Sequence, residues 1–219
     1  MTTTISVAPF RVAIACAVLA ACGGGSGSVA TGEQTDAERL EAAALLGNRI
    51  GGLFNTGFTG QPGEMPATGS ATFTGFAVAA FDSAPPPDLL ATVGTASVGL
   101  LLLGDATLQA DFGAGTITGE ARNFFGREAG AFADYEGTIV LRDGEIGVSP
   151  TVSGSVPNDI RFRYGGSLVG QGNDVTLAGD ATGKFKGTPI RGLVASDLSA
   201  NQLNGVTTPS FFGVVAEVD

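Results

Sequence analysis

The sequence predicts an all-β protein, an eight-stranded antiparallel up-and-down β-barrel preceded by a short N-terminal helix. Three observations carry that expectation. From Gly69 onward apolar and polar residues alternate with a period of two, as in strands with one buried and one wet face. Clusters of Gly, Pro, Asn and Asp cut this alternation into about eight segments. Glycines at 75, 119, 137, 166, 183 and 192 stand inside those segments, where they weaken a strand unless the sheet coils tightly. Strong coiling favours a closed barrel over a flat sandwich.

Taken from the N-terminus, residues 1–21 have the build of an export signal: Arg11 in a polar opening, an apolar core from Val12 to Ala21, and small residues at its end. The run Leu19-Ala20-Ala21-Cys22 resembles the lipobox of bacterial lipoproteins. That resemblance implies that the thiol of Cys22 receives a diacylglyceryl group before the signal is cut; the alternative is a soluble export signal with an incidental cysteine. Cys16 would leave with the signal and Cys22 would carry lipid, so no intramolecular disulfide is expected although an exported compartment permits one. Residues 22–34 read as a Gly/Ser-rich tether. The later apolar run Val98 to Leu103 is far short of the ~18 residues of a spanning helix, which leaves the lipid as the membrane anchor.

A helix is expected over residues 35–52, as a handle or a plug for one end of the barrel, or as a helix packed against the domain. Thr35 and Glu38 have capping-box spacing, Asp36 and Glu38 suit the positive end of the helix dipole, and Leu40, Ala43, Ala44, Leu46 and Ile50 share one face before Gly51-Gly52. The barrel domain, residues 53–219, follows. Its expected strands are Ala71 to Phe81, Asp105 to Phe112, Thr116 to Phe124, Tyr135 to Arg142, Ile160 to Val169, Val175 to Phe185, Ile190 to Val194 and Phe211 to Val218. Turns are expected at Gly113-Ala114-Gly115, Asp143-Gly144, Pro157-Asn158-Asp159 and Gln171-Gly172-Asn173-Asp174.

Composition narrows the function. The full chain of 219 residues has a net charge of −10, and loss of Arg11 with the signal makes it one unit more negative. Nucleic acid is therefore not an expected partner. There is no histidine, which excludes Ser-His-Asp and Cys-His catalysis and the usual zinc sites, so neither an enzyme, a metal nor a cofactor is expected. Asp105 and Asp111 share the polar face of the clearest strand, where solvated carboxylates belong, and nothing suggests the separated pKa values of an acid/base pair. Gly170 to Asp174 resembles a single calcium-binding glycine-rich repeat but reads better as a hairpin turn. Arg161, Arg163, Lys184, Lys186 and Arg191 concentrate positive charge on neighbouring strands, as a partner-binding patch or as a solvated outer wall.

Three segments of the chain, Gly69 to Gly75, Asp105 to Gly119 and Gly183 to Gly187 with Gly192, together resemble the transferrin-binding protein B-like surface lipoproteins. Gly69-Ser70-Ala71-Thr72-Phe73-Thr74-Gly75 is similar to that family's opening barrel strand, Asp105 to Gly119 to its Asp-Phe hairpin, and Gly183-Lys184-Phe185-Lys186-Gly187 with Gly192 to its later Gly-x-Phe-Tyr-Gly strand. The family's transferrin receptors have two lobes, each with a handle and a barrel, whereas this chain offers one barrel and a very small handle. Lys186 replaces the usual tyrosine, and Thr188-Pro189-Ile190-Arg191 replaces a Gly-Pro and acidic stretch. The resemblance implies a rigid barrel that presents variable loops.

The expected function is accordingly that of a monomeric, non-enzymatic lipoprotein of the bacterial outer membrane, anchored at Cys22 and facing outward. Loops such as Asp82 to Thr92, Phe125 to Asp134 and Ser199 to Pro209 would meet a metal- or nutrient-carrying macromolecule. The alternatives are a periplasm-facing lipoprotein holding a small apolar ligand, with haem on Tyr135, Tyr164, Met65 or carboxylates as a variant, and a structural envelope protein. The ligand-binding residues themselves are not identifiable from sequence.

Overall fold

A computed structural model describes residues 34–52, 65–81, 99–128, 131–148 and 155–219. Cys22, the signal, most of the tether and the loop Asp82 to Thr92 lie outside the described residues. Helix α1 spans Asp36–Gly52, and eight strands follow: β1 Ser70–Phe81, β2 Leu100–Asp111, β3 Thr116–Glu128, β4 Ala131–Val148, β5 Ser155–Gly170, β6 Asn173–Lys186, β7 Gly192–Leu203 and β8 Val206–Val218. Each pairs with the next, and β8 closes on β1, all antiparallel, so the sheet is a closed up-and-down barrel.

Coiling of this kind brings adjacent backbones close. At Gly119 and Gly183 a Cβ atom would overlap the carbonyl oxygens of Thr107 and Val194 on the next strand, which is why glycine interrupts otherwise regular alternation. The lumen is filled rather than hollow. Phe73, Phe81, Phe124, Phe162, Phe185 and Phe212 are fully buried from five different strands, and Leu102, Leu108 and Leu177 pack among them.

Helix α1 forms as its cap predicts. Thr35 N–H donates to Glu38 Oε2 at 2.7 Å, and Glu38 N–H returns a bond to Thr35 Oγ1 at 3.3 Å. The Thr35 backbone bond holds the Glu38 carboxyl below its ordinary pKa. Ala43, Leu46 and Ile50 are buried against outward-facing residues of the wall: Val78 and Ala80 of β1, Leu101 and Leu103 of β2, Phe125 of β3, Phe211 and Val215 of β8. Of the placements open from sequence, the structure has the helix packed on the outside of the barrel, not plugging an end. Burying Leu46 and Ile50 contributes roughly 1.5–3 kcal/mol each. This cover also explains the apolar run ending in Leu103: Leu100 and Leu102 face the lumen while Leu101 and Leu103 face the helix cluster, so both faces are buried.

Several expected breaks turn out to be strand. Asp143-Gly144 lies within β4, where Asp143 adopts φ 52° at a register shift between Arg142 and Glu145; it bulges the strand without reversing it. Pro157-Asn158-Asp159 lies within β5, with Asn158 and Asp159 buried. The expected loop Phe125 to Asp134 is mostly the ends of β3 and β4, and Ser199 to Pro209 is the β7–β8 hairpin. Gln171-Gly172 does reverse the chain, both residues having positive φ as a tight hairpin turn requires.

One pair of strands departs from the rest. The β6–β7 ladder is formed from Val175↔Leu203 to Thr176↔Gln202 and from Thr182↔Ser196 to Lys186↔Gly192, with no pairing between. The register is the same on both sides of the interruption, so the two strands part and rejoin without an inserted residue.

Candidate functional site

Inside the barrel, polar side chains collect beneath that interruption. Tyr164 of β5 stands beside Gly179 of β6, and its ring passes over the bare Cα, where a Cβ would collide with the hydroxyl. The Tyr164 hydroxyl thereby reaches β7, donating to Asp197 Oδ2 at 2.8 Å and lying 3.2 Å from Ser199 Oγ. Asn201 Nδ2 donates to Ser210 Oγ at 2.8 Å, while Asn201 Oδ1 accepts the Ala178 backbone N–H at 2.7 Å. Phe212 stacks on the Tyr164 ring at 4.0 Å between centroids. Burial pushes the Tyr164 phenol up to about 12, reinforced by the neighbouring Asp197 carboxylate and opposed by the bonds to Ser199 and Asn201.

On the outside, the wall is irregular where β3 meets α1 and β4. Register shifts fall between Leu103 and Asp105 and between Ala121 and Phe124, and Asn123 takes φ 51°. This bulge turns Arg122 and Asn123 outward together. Arg39 of the helix docks on it: one guanidinium nitrogen donates to the Asn123 carbonyl at 2.6 Å and to Asp105 Oδ1 at 3.0 Å, and the group lies 4.5 Å from the centre of the Phe125 ring. Asn123 Nδ2 holds the other Asp105 oxygen at 3.0 Å. Beside this junction lies a groove of about 450 Å3, lined by Arg39, Arg122, Asn123, Asp134, Glu136 and Thr138 among others. Its volume falls in the range of small-ligand sites, and Phe124 and Tyr135 complete its lining beside the polar side chains.

The residues weighed from sequence find separate places. Asp105 is committed to Arg39 and Asn123, whereas Asp111 Oδ1 accepts the Ala114 N–H at 2.9 Å in the β2–β3 turn. Each carboxylate thus has a structural task of its own. Tyr135 accepts from Asn173 Nδ2 at 3.1 Å and Tyr164 is tied to Asp197, while Met65 packs at the edge of the lumen cluster. The basic residues are interleaved with acids: Arg161 pairs with Glu145 at 2.7 Å, Arg163 lies 3.8 Å from Asp143 and 3.6 Å from Asp180, and Lys184 bonds Asp159. That is the pattern of a solvated wall. Lys186 differs from these in being buried, and burial together with the nearby Lys184 charge lowers its pKa to about 8 despite Asp159.

Sequence reasoning missed both the polar cluster and the helix-side groove. Asp197, Ser199 and Asn201 alternate, which was a readable signal, but their polarity on the inward face disguised a strand as a loop. The groove depends on a bulge that has no sequence signature beyond Asn123. No protein-family model and no curated protein matches the chain.

Proposed function

We propose that this chain is a lipid-anchored, non-enzymatic binding protein of the bacterial outer membrane, with the barrel facing outward and recognition on its exterior. The observation that carries the reading is the filled lumen: six phenylalanines from five strands occupy the space a lipocalin-like protein leaves for its ligand. Binding then belongs to the outer surface, where the groove between α1 and the β3–β4 bulge offers a concavity of about 450 Å3. The lipobox-like Cys22 and the resemblance to transferrin-binding protein B-like lipoproteins supply the anchor and the family expectation. The absence of histidine from the whole sequence, with Asp105 and Asp111 each structurally engaged, supports a non-catalytic role.

Protease shaving of intact cells tests this, with a periplasmic lipoprotein as the integrity control. Loss of the barrel signal with the control preserved is the expected result. Protection until the outer membrane is permeabilised overturns the outward-facing reading. Native mass spectrometry of the purified barrel is the companion measurement, and a bound small molecule in the lumen would overturn external recognition.

A further inference from the structure

Where the β6–β7 ladder stops, side chains close the wall in its place. We propose that this seam is an opening device: a latch made by Tyr164–Asp197 and Asn201–Ala178, whose release parts β6 from β7 while the other strand pairs stay zipped.

The geometry supports this in three ways. First, the interruption lacks the signature of a bulge. Bulges in this barrel change the residue count between flanking pairs, as between Leu103 and Asp105 opposite Phe125 and Arg122. Here the spacing is equal on both strands, from Thr176 to Thr182 and from Ser196 to Gln202, so an intact ladder is possible in the same register. Continued pairing would set Ala178 opposite Ala200; instead the Asn201 side-chain carbonyl takes the Ala178 N–H.

Second, the replacement is specific. Tyr164 crosses β6 only because residue 179 is glycine, and it is held from below by Phe212, the residue that pairs with Asp197 on the far side. A single phenol thus links β5, β7 and β8 across the gap. Asn201 adds β6 and β8 through Ala178 and Ser210.

Third, opening here exposes groups that water can satisfy. Asp197, Ser199, Asn201 and Ser210 would be hydrated, and Leu198 is already 63% exposed, whereas the phenylalanine core below Tyr164 stays packed. Opening the polar seam therefore requires less free energy than opening any apolar part of the wall. The device is independent of which partner the exterior binds.

Residue-resolved hydrogen exchange on the full protein tests the proposal. By alternation from the Ala178 bond, the amides of Ala178, Asp180, Leu198 and Ala200 face the seam. They are expected to exchange at least about tenfold faster than the amides of the β1–β2 ladder, without denaturant. Asn201→Ala should accelerate the seam amides by roughly a further tenfold and leave β1–β2 unchanged. Seam amides as well protected as β1–β2, or an Asn201→Ala variant that shifts all amides by one common factor, would overturn it. Should Asn201→Ala fail to fold, Tyr164→Phe removes a single oxygen from the same latch and is read by the same two outcomes.

Discussion

The β1–β2 and β6–β7 walls are built from the same kind of sequence and are held shut differently. β1 and β2 pair without a break from Ser70↔Asp111 to Phe81↔Leu100, and their upper residues are buried on both faces, by the lumen inside and the helix cluster outside. β6 and β7 lose their ladder through the middle and are joined there by Tyr164, Asp197 and Asn201. The difference shows that closing a barrel removes its edges without making its circumference uniform. Where outer cover and inward apolar residues are both present, backbone pairing is continuous. In the stretch whose inward side chains are polar, hydrogen bonds from side chains stand in for the ladder, and they are individually easier to exchange for water.

The most disruptive way to probe this contrast is Phe212→Ala, which removes the ring beneath Tyr164 and leaves a cavity in the lumen. A loss of about 3–5 kcal/mol is expected in urea denaturation. Phe73→Ala on β1 should cost a similar amount yet leave the alkaline transition described below intact, because Phe73 packs on Phe185 far from the tyrosine latch.

Next in size is a pair of glycine substitutions on neighbouring strands. A methyl group at Gly179 enters the space of the Tyr164 hydroxyl and the Asp197 carboxylate, so Gly179→Ala should destabilise by about 2–3 kcal/mol. At Gly165 the nearest atom to an added Cβ is the Leu177 carbonyl oxygen at 3.8 Å, an ordinary contact. Gly165→Ala should therefore be neutral or stabilise by about 0.5 kcal/mol, through the smaller entropy of the unfolded chain. Equal effects of the two would mean that the tyrosine crossing is not under steric control.

Tyr164→Phe should cost about 1–2 kcal/mol, since it leaves Asp197 and Asn201 short of a partner while keeping the stack on Phe212. It also carries a pH signature. The folded phenol titrates near 12 against 10.0 for the unfolded chain, so its stabilising contribution is complete below pH 10 and is lost as the pH rises to about 12. Chemical denaturation across that range should show wild type losing stability and Tyr164→Phe losing less.

A last contrast concerns the C-terminal end of β6. Lys186 titrates near 8 in the folded state against 10.5 unfolded, so the folded protein gives up this proton first and stability should rise between about pH 8 and pH 10.5. Lys186→Met should flatten that rise. A wild-type profile that falls steadily over the interval would contradict the burial of this ammonium group.

Much of the fold was legible in the residues. The alternation in Ala106, Leu108 and Ala110 against Thr107, Gln109 and Asp111 became β2 with those apolar residues in the lumen, and the Thr35–Glu38 cap opened the helix where expected. The expected strand Ile190 to Val194 captured only the start of β7, because Asp197, Ser199 and Asn201 place polar groups on the buried face and reverse the usual code. Asp143-Gly144 has turn composition, yet its pairing with β5 on both sides made it a bulge. Sequence composition assigns turn residues correctly and cannot say whether the chain reverses or merely kinks, since that depends on which strand lies alongside.

By itself the sequence determined the all-β class, the eight strands, the capped helix and the acidic, histidine-free chemistry, because these follow from local periodicity, propensity and composition. Only the tertiary structure decided that α1 lies along the outer wall, that a β3 bulge and Arg39 form a groove, and that a tyrosine reaches over a glycine to bridge an interrupted ladder. Each of these depends on contacts between residues distant in the chain, and local sequence pattern carries no record of what will stand opposite.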